Sequence, residues 1–422
     1  MFKKITLSSG LRLITVPMGN VTTVTILALV DTGSNNETKE ANGISHFLEH
    51  MFFKGTARRP AAKIISEEVD GLGGYTNAMT SNEYTGYYVK VPAAKFGQAL
   101  DLTADIFLNS LLDQREVEKE RGVIIQEIRM RHDDPQSHIG YLYTALLYGD
   151  QPAGWEIGGI PETIGRMNSE ELRRYFQNQY TAEDTIVVVA GNFQEEQAVV
   201  DVTRAFGAVR HGKPRTRPAV VEVQKEPVVS LFTKQTDQTH LILGVRAFGA
   251  HDPRRFAASV LAYILGGSMA SRMFEEVREK RGLAYAISTV YDDYTTYGSF
   301  ETYAGVEHPN TAEAVRVILG EYRKIAAEAV PGAELARAKE AMKGRLALSL
   351  EGSDRLAFFV GGEEALTRQP LTVEEIYRKI DTVTAADIQR VAVDIFRDEH
   401  LNLALIGPHT EAGPFQEPLA LR

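Results

Sequence analysis

Hydrophobic residues follow two contrasting patterns along the chain. Residues 11–16 and 21–30 are short apolar runs rich in β-branched residues, and residues 76–91 combine apolar residues with many Thr and Tyr. Runs of this kind predict strands. Elsewhere, apolar residues recur three and four positions apart, which predicts helices. Four segments in the first third of the chain carry this helical spacing: 43–53, 61–69, 94–112 and 115–131.

The predicted strands and helices alternate without the short repeat of a doubly wound sheet, so the pattern favours an α+β fold. Near the middle of the chain the composition changes, because residues 210–218 are basic and contain two prolines that prevent regular strand pairing. We therefore expect an N-terminal domain over 1–209, a linker over 210–227 and a C-terminal domain over 228–422.

The two predicted domains resemble each other at a nearly constant spacing. Residues 187–191 match residues 403–407 at an offset of 216, since both are apolar runs that end in Gly. An offset of 210 aligns three tyrosine pairs. These are Tyr75 with Tyr285, Tyr84 with Tyr294 and Tyr87 with Tyr297. The repeat predicts two copies of one domain, each with a mainly antiparallel sheet and helices packed on one face.

Charge and composition exclude several classes of protein. Lys and Arg total 46 against 56 Asp and Glu, a net charge of -10, which argues against a nucleic-acid-binding surface. No apolar run is long enough to span a bilayer, and the first ten residues lack the apolar core of a secretory signal. We therefore expect no membrane association and a cytoplasmic location. Because the chain has no cysteine, any metal ligands must be His, Asp or Glu.

A candidate metal-binding motif lies in the first predicted helix. His46, Glu49 and His50 form the pattern His-x-x-Glu-His, and positions i, i+3 and i+4 share one face of a helix. Two imidazoles this close together suit a cation such as Zn²⁺, and a neighbouring carboxylate can accept a proton from water. At the offset of 216, residues 262–266 contain neither His nor Glu. The fold therefore does not require these polar residues.

A catalytic zinc site needs a third protein ligand. Glu127 lies 77 residues after His50 in a predicted helix, and Glu120 lies two helical turns before it on the same face. The surrounding residues 123–128 form an apolar run. We therefore expect Glu127 to be buried, where a carboxylate must be paired or coordinated.

These motifs carry a family resemblance. Residues 43–56, with Glu120 and Glu127 downstream, resemble the M16 metallopeptidases, which include mitochondrial processing peptidase, insulin-degrading enzyme and pitrilysin. The chain length and residues 277–285 make the chain most similar to the short bacterial members close to the processing peptidase β subunit. The motif of this family is the zincin motif in reverse order, the inverzincin motif. The resemblance implies a metalloendopeptidase with one Zn²⁺ per chain.

The resemblance also implies a role for each residue of the motif. His46, His50 and Glu127 would bind the zinc ion. Glu49 would act as the general base, and Glu120 would support the site from behind the ligands.

Substrate contacts follow from the same resemblance. Residues 73–80 would form an edge strand on which a substrate peptide pairs, with contacts at Gly74, Asn77 and Ala78. An edge strand suits this role because it offers unpaired N–H and C=O groups to an extended backbone. Phe53, by its position in the motif, would line an apolar pocket for the residue after the cleaved bond.

Two residues of the C-terminal half, Arg278 and Tyr285, match the family pair that holds the substrate carbonyl and stabilises the tetrahedral intermediate. Longer single-chain relatives close four domains around a chamber, so the resemblance implies a homodimer, or a heterodimer with a paralogue, that encloses peptides or unfolded polypeptides. Ser137 and Tyr141 occupy the positions where the mitochondrial enzyme has acidic residues that read an arginine. Strict arginine-directed cleavage is therefore not expected.

The sequence thus predicts a zinc-dependent endopeptidase that works inside a dimeric chamber. One alternative is a non-catalytic or regulatory subunit of an M16-type heterodimer. A second alternative is a small-molecule zinc hydrolase of the S-ribosylhomocysteine lyase class, but that class uses a cysteine ligand, which this chain lacks. Mn²⁺ or Co²⁺ can occupy the same ligands as Zn²⁺.

Overall fold

A computed structural model describes residues 2–213 and 216–421 of the chain. The chain divides into two compact units. Unit 1 runs to Arg129 and also includes Trp155–Pro218 and Ala347–Thr372. Unit 2 includes Met130–Gly154, Ala219–Leu346 and the residues from Val373 onward.

The strands are β1 (Lys3–Thr6), β2 (Arg12–Pro17), β3 (Thr23–Val30), β4 (Tyr75–Thr80), β5 (Thr85–Pro92), β6 (Thr185–Gly191), β7 (Val228–Thr233), β8 (Thr239–Ala247), β9 (Ala284–Asp293), β10 (Gly298–Val306) and β11 (Asn402–Gly407). The helices are α1 (Ile44–Phe52), α2 (Ala62–Gly71), α3 (Phe96–Asn109), α4 (Gln114–Asp133), α5 (Pro135–Tyr148), α6 (Pro161–Arg166), α7 (Ser169–Gln179), α8 (Glu195–Ala205), α9 (Arg255–Gly266), α10 (Thr311–Ala327), α11 (Gly332–Ser349), α12 (Ser353–Thr367), α13 (Val373–Thr382), α14 (Ala385–Ile395) and α15 (Gly413–Gln416).

Each unit contains one sheet, and the two sheets share a topology. In unit 1 the strand order is β1-β2-β6-β3-β5-β4, and in unit 2 it is β7-β11-β8-β10-β9. The pairs β2–β6 and β7–β11 are parallel, and all other pairs within these sheets are antiparallel. Apart from β1, the strands of the two sheets correspond one to one. The predicted α+β class with mainly antiparallel sheets is confirmed.

Helices cover both faces of each sheet, not one face as the sequence predicted. In unit 1 the larger core packs the sheet against α1, α3 and α8, among other helices. On the opposite face, Ile14, Leu27 and Val188 pack against Ala357 and Val360 of α12. The prediction was incomplete because strands such as β6 are buried on both sides, and an apolar sheet face needs its own covering layer.

The covering helices are exchanged between the halves of the chain. α12 follows the linker in sequence but belongs to unit 1, whereas α5 precedes the linker but belongs to unit 2, where it packs on β8 and β11. The domain ranges predicted from the sequence, 1–209 and 228–422, are each contiguous, whereas each compact unit takes one helical segment from the other half.

The predicted linker over 210–227 contains neither helix nor strand in its described part, while its residues Pro214 and Arg215 lie outside the described residues. Its Arg217 donates to the Asp31 backbone oxygen at 3.0 Å within unit 1. None of the helices that the structure describes has both the length and the apolar character needed to cross a lipid bilayer.

Candidate metal centre

Helix α1 presents an apolar face to the core of unit 1 and a polar face beside it. Phe47, Leu48 and Met51 are fully buried in the larger core. His46 and His50 lie one helical turn apart on the same side of the helix, as their spacing predicts. The apolar contacts therefore fix the helix, and the fixed helix orients the two imidazoles.

The beginning of α1 depends on two residues that precede the helix, Gly43 and Glu37. Gly43 is in the left-handed conformation, with φ of 95°, and a Cβ there would lie 2.8 Å from the Gly158 backbone oxygen. The helix has no cap from its own N-cap side chain. Instead, the Gly43 N–H donates to Glu37 Oε2 at 2.7 Å and the Ser45 N–H donates to Glu37 Oε1 at 2.8 Å.

Glu37 is buried, and burial is the main reason why its pKa is raised from 4.5 to about 7. Hydrogen bonds to the carboxyl from Ser45, Gly43 and Asn42 oppose this rise. The Asn42 side-chain amide donates to Glu37 Oε2 at 3.1 Å. Nothing in the sequence pattern identified Glu37.

Three side chains predicted as metal ligands converge in unit 1. His46 Nε2 and His50 Nε2 lie 3.3 Å apart. Glu127 Oε2 lies 3.7 Å from His46 Nε2 and 3.5 Å from His50 Nε2. Within residues 2–213 and 216–421, this is the one group of three or more His, Asp or Glu residues whose ligand atoms all lie within 4.8 Å of one another.

These distances fit a tetrahedral zinc ion. Bonds of about 2.0–2.1 Å at tetrahedral angles place neighbouring ligand atoms roughly 3.3–3.4 Å apart. The three observed distances are 3.3, 3.5 and 3.7 Å, so small side-chain shifts complete the geometry. Two imidazoles and one carboxylate are a donor set that zinc enzymes use, with the fourth position left for water.

Glu120 holds one of the imidazoles in place. Its Oε1 lies 2.8 Å from His50 Nδ1, and its Oε2 lies 2.6 Å from Lys54 Nζ. Burial acts to raise the pKa of Glu120, but the hydrogen bonds from His50 and Lys54 outweigh it and keep the pKa below its ordinary value. An ionised Glu120 favours a proton on His50 Nδ1, which leaves His50 Nε2 able to coordinate a metal.

Glu127 is not buried as the apolar run around it predicted, because its side chain remains 31% exposed. Residues 123–128 lie on several sides of α4, so Ile124 and Ile128 enter the core while Val123 is 42% exposed. The prediction that Glu127 is buried was therefore wrong, and burial gives no reason for Glu127 to be coordinated. Coordination by Glu127 is favoured instead by the proximity of its carboxylate to the two imidazoles.

The predicted general base has a partner that the sequence did not reveal. Thr80, the last residue of β4, donates through its Oγ1 to Glu49 Oε2 at 2.5 Å. The two residues are 31 positions apart in the sequence, and only the packing of α1 beside β4 brings them together. This contact fixes one oxygen of the Glu49 carboxylate.

The predicted substrate strand corresponds to β4, which lies at the edge of the unit 1 sheet and, among the strands that the structure describes, pairs with β5 alone. Gly74 directly precedes it, and a Cβ there would meet the Lys90 backbone oxygen at 2.5 Å. The Asn77 side-chain oxygen accepts from the Ala78 N–H at 2.8 Å. A peptide that paired with that N–H would have to displace the Asn77 side chain.

Two of the predicted substrate contacts also belong to the core. The side chains of Ala78 and Phe53 are partly buried and pack against the larger core of unit 1. The Phe53 ring centre lies 6.3 Å from that of Tyr87, which is fully buried. Both residues therefore have a packing role whether or not a substrate touches them.

Arg278 and Tyr285 lie in unit 2, and the structure brings these two residues together. The Arg278 guanidinium lies 5.1 Å from the centre of the Tyr285 ring and 4.7 Å from that of Phe274. Arg278 belongs to a turn of π-helix, Phe274–Glu279, and Tyr285 is 75% exposed on the edge strand β9. A guanidinium that contacts two rings is oriented by them, and the Arg278 side chain is still exposed enough to reach a substrate.

A separate cavity of about 450 Å³ in unit 1 is not lined by the three converging side chains. Its lining includes Glu40, Arg166 and Tyr175. The Tyr175 hydroxyl lies 2.9 Å from the Ser45 hydroxyl in the first turn of α1. The cavity therefore contacts the helix of the candidate ligands without being part of their cluster.

Comparison with other proteins gives a consistent result. The profile described as Insulinase (Peptidase family M16) matches residues 14–158, and the profile described as Peptidase M16 inactive domain matches residues 166–342. The chain is 35% identical to the "Uncharacterized zinc protease YmxG" of Bacillus subtilis (strain 168) over 97% of this chain and 98% of that protein. It is 33% identical to an uncharacterized zinc protease of Streptomyces coelicolor over 96% of this chain and 89% of that protein.

Solved structures show the same fold. A structure described as a protease from Helicobacter pylori superposes with a TM-score of 0.89 at 22% identity, over 97% of this chain and 99% of that chain. A structure described as a peptidase M16 inactive domain from Pseudomonas fluorescens also gives 0.89, at 17% identity, over 97% of this chain and 98% of that chain. Profile matches in both halves and one-third identity over nearly the whole length place the chain in peptidase family M16.

Proposed function

We propose that the chain is a zinc-dependent endopeptidase that cleaves peptides or unfolded segments of polypeptides. The observation that carries this proposal is that the ligand atoms of His46, His50 and Glu127 lie within 3.7 Å of one another. The two histidines lie on α1, which also bears Glu49, and Glu127 lies on α4. The zinc proteases among the relatives support the same reaction class.

Each residue has a defined task in the proposed reaction. A zinc ion held by the three ligands would supply a Lewis acid that polarises the peptide carbonyl and acidifies water. Glu49, fixed by Thr80, takes a proton from the attacking water and passes it to the leaving amine. Glu120 keeps the His50 ring in the orientation that binding requires. Arg278 and Tyr285 stabilise the negative charge that develops on the carbonyl oxygen.

The proposed substrate is an extended peptide. Strand β4 offers the outer edge of the unit 1 sheet, and pairing with a strand edge recognises the backbone of a peptide more than its sequence. A folded domain has few free extended segments, so unfolded polypeptides and short peptides are the expected substrates.

We also propose that the enzyme works as a homodimer, in which Arg278 and Tyr285 of one copy complete the zinc site of the other. This proposal comes from the family resemblance and from the absence of a ligand cluster in the described residues of unit 2. A heterodimer with a paralogue would use the same arrangement.

Zinc content and peptide cleavage by the purified chain test the reaction. We expect about one zinc per chain, cuts in a mixed peptide library mapped by mass spectrometry, and loss of these cuts with a chelator. Glu49→Gln should keep the zinc and reduce the cleavage rate by at least about 100-fold. Zinc binding without cleavage by the wild-type chain would favour the alternative, a non-catalytic subunit.

The shared site has its own test. A Glu49→Gln chain is mixed with an Arg278→Ala chain under conditions that allow subunits to exchange. If each site uses residues of both copies, one of the two sites in a mixed dimer is intact, so activity should rise well above that of either variant alone. A mixture no more active than its parents contradicts the shared site but leaves the reaction class untouched.

A further inference from the structure

Glu37 lies at the end of a firmly held segment between β3 and α1. The Ser34 N–H donates to the Ser81 backbone oxygen at 3.2 Å, and the Asn35 N–H donates to the Asn82 backbone oxygen at 2.8 Å. A Cβ at Gly33 would lie 2.3 Å from the Ser81 backbone oxygen, so the two segments touch. The position of Glu37 is therefore set by the sheet and its loops.

The held segment presents the Glu37 carboxylate to α1 from outside the helix. Both carboxylate oxygens accept backbone N–H groups, from Gly43 at 2.7 Å and from Ser45 at 2.8 Å. These donors are among the N–H groups that a helix leaves without intrahelical partners in its first turn. One side chain thus binds two N–H groups at the start of the nine-residue helix and orients its first turn.

The first turn of α1 carries a candidate ligand. His46 is the third residue of the helix and directly follows Ser45, whose N–H is bound to Glu37. The beginning of a helix has a partial positive charge, which opposes a nearby cation. A buried carboxylate placed against this helix end offsets that charge, and it does so in a region where water screens little.

We propose that Glu37 is a positioning residue of the metal centre, which fixes the first turn of α1 and offsets the positive end of this helix so that His46 and His50 bind a divalent cation tightly. The inference rests on the proposed zinc site. Glu37 contacts the backbone of Gly43 and Ser45, and its effect on the metal passes through these two hydrogen bonds.

The matched control comes from unit 2. Asp252 Oδ1 accepts the Arg254 N–H at 2.8 Å at the beginning of α9, the helix that corresponds to α1. Asp252→Asn and Glu37→Gln each replace a carboxyl group next to a helix start with an amide, but the α9 segment aligned with the metal motif has neither His nor Glu.

The experiment measures zinc affinity by competition with a chromophoric chelator at pH 7.5, together with the visible spectrum of the Co²⁺-loaded protein. Glu37→Gln should lower zinc affinity by about 10-fold or more and change the Co²⁺ absorption bands. Asp252→Asn should leave both within about two-fold of wild type. Glu37→Asp, which retains the charge but withdraws it from the two N–H groups, should give an intermediate affinity and serves if Glu37→Gln does not fold.

The outcomes separate the two proposals. If the wild-type chain binds zinc and Glu37→Gln binds it equally well with an unchanged Co²⁺ spectrum, the role of Glu37 is wrong while the proposed enzyme stands. If Glu37→Gln and Asp252→Asn weaken binding to the same extent, the effect is one of general stability and the inference is again overturned. If the wild-type chain binds neither ion, the proposed zinc site is wrong and the inference falls with it.

Discussion

The two units share one topology, yet the helix that carries the candidate ligands in unit 1 has a different environment in unit 2. In α9, Gly266 occupies the position of His50 at the offset of 216. A Cβ at Gly266 would lie 2.2 Å from the Thr289 backbone nitrogen of β9, so the sheet approaches the helix too closely for any side chain. In unit 1, the side chain of His50 has that space. In the same fold, the distance between this helix and the neighbouring strand thus decides whether a metal-binding side chain fits at this position.

The third ligand shows a similar difference. By an approximate alignment, Arg345 of α11 corresponds to Glu127 of α4. Arg345 Nη1 donates to the Gly267 backbone oxygen at 2.5 Å, directly after the end of α9. A cation at the end of a helix is electrostatically favourable. Unit 2 therefore uses this position to stabilise a helix, whereas unit 1 uses it to bring a carboxylate to two imidazoles.

The largest expected effect is on metal binding. Glu127→Ala should lower zinc affinity by more than about 100-fold, because it leaves only two of the three protein ligands. Loss of a ligand should cost more affinity than loss of a residue that only supports a ligand. Arg345→Ala, the corresponding change in unit 2, should leave zinc affinity unchanged. Chelator competition on both variants measures this, and full zinc affinity in Glu127→Ala would break the comparison.

The second prediction concerns pH. The pKa of Glu37 is raised from 4.5 to about 7 in the folded chain, so the folded state holds this proton up to higher pH than the unfolded state. The stability that the bound proton contributes is complete below about pH 4.5 and is lost as the pH rises to about 7. Relative to Glu37→Gln, wild type should lose up to about 3 kcal/mol of unfolding free energy between pH 4.5 and pH 8.

Asp252 of unit 2 provides the contrast for this titration. Hydrogen bonds and charge from Arg254 lower the pKa of Asp252 from 3.8, so its proton is released at lower pH in the folded state. Its stabilisation is present above the ordinary pKa and is lost only as the pH falls below it. The unfolding free energies of Asp252→Asn and wild type, measured with urea, should therefore change with pH in the same way between pH 5 and pH 8. A parallel course for Glu37→Gln would contradict the raised pKa.

The third prediction tests the close approach in unit 2. Gly266→Ala should destabilise the chain by about 2 kcal/mol, because the added Cβ would collide with β9. Gly320→Ala in α10 is the control, since a Cβ there meets nothing within 4 Å, and it should be neutral or stabilising by up to about 1 kcal/mol. Thermal unfolding of the metal-free proteins compares them. Equal stability of the two variants would show that α9 can move away from its sheet.

The smallest expected effect is on the general base. At the offset of 210, Thr80 of β4 corresponds to Val290 of β9, so Thr80→Val introduces the residue of unit 2 into unit 1. Loss of the hydrogen bond to Glu49 should lower kcat by about 10-fold without changing zinc content. Thr76→Val removes a hydroxyl from the same strand that donates to the Tyr88 backbone oxygen, and should leave kcat unchanged. A similar fall in both variants would assign the effect to the strand as a whole.

Local patterns in the sequence predicted the elements of unit 1 well where periodicity was strong. The predicted helix 43–53 is α1, Ile44–Phe52, and the predicted helix 115–131 is α4, Gln114–Asp133. The strand-like residues 76–91 are instead a hairpin, because Ser81 accepts and donates hydrogen bonds in a turn between β4 and β5. Thr and Tyr occur on both sides of the turn, so the sequence pattern did not separate the two strands.

Other features depend on contacts between distant residues and could not be predicted from local patterns. The His-x-x-Glu-His spacing places two imidazoles together through helix geometry alone, but the contact between Glu37 and the start of α1 spans an irregular loop, and that between Thr80 and Glu49 joins a strand to a helix. The exposure of Glu127 was predicted wrongly because residue type alone does not show which side of a helix faces the core.

The exchange of α5 and α12 has a consequence for how the protein folds. Cutting the chain at the linker would leave the N-terminal fragment with one bare sheet face and a helix whose partner sheet is missing, and the C-terminal fragment with the same two defects in reverse. Neither fragment is then an autonomous folding module, although each carries almost one complete copy of the repeat. Synthesis must therefore proceed past residue 367 before both faces of the unit 1 sheet are covered, so the first sheet to be made is completed late.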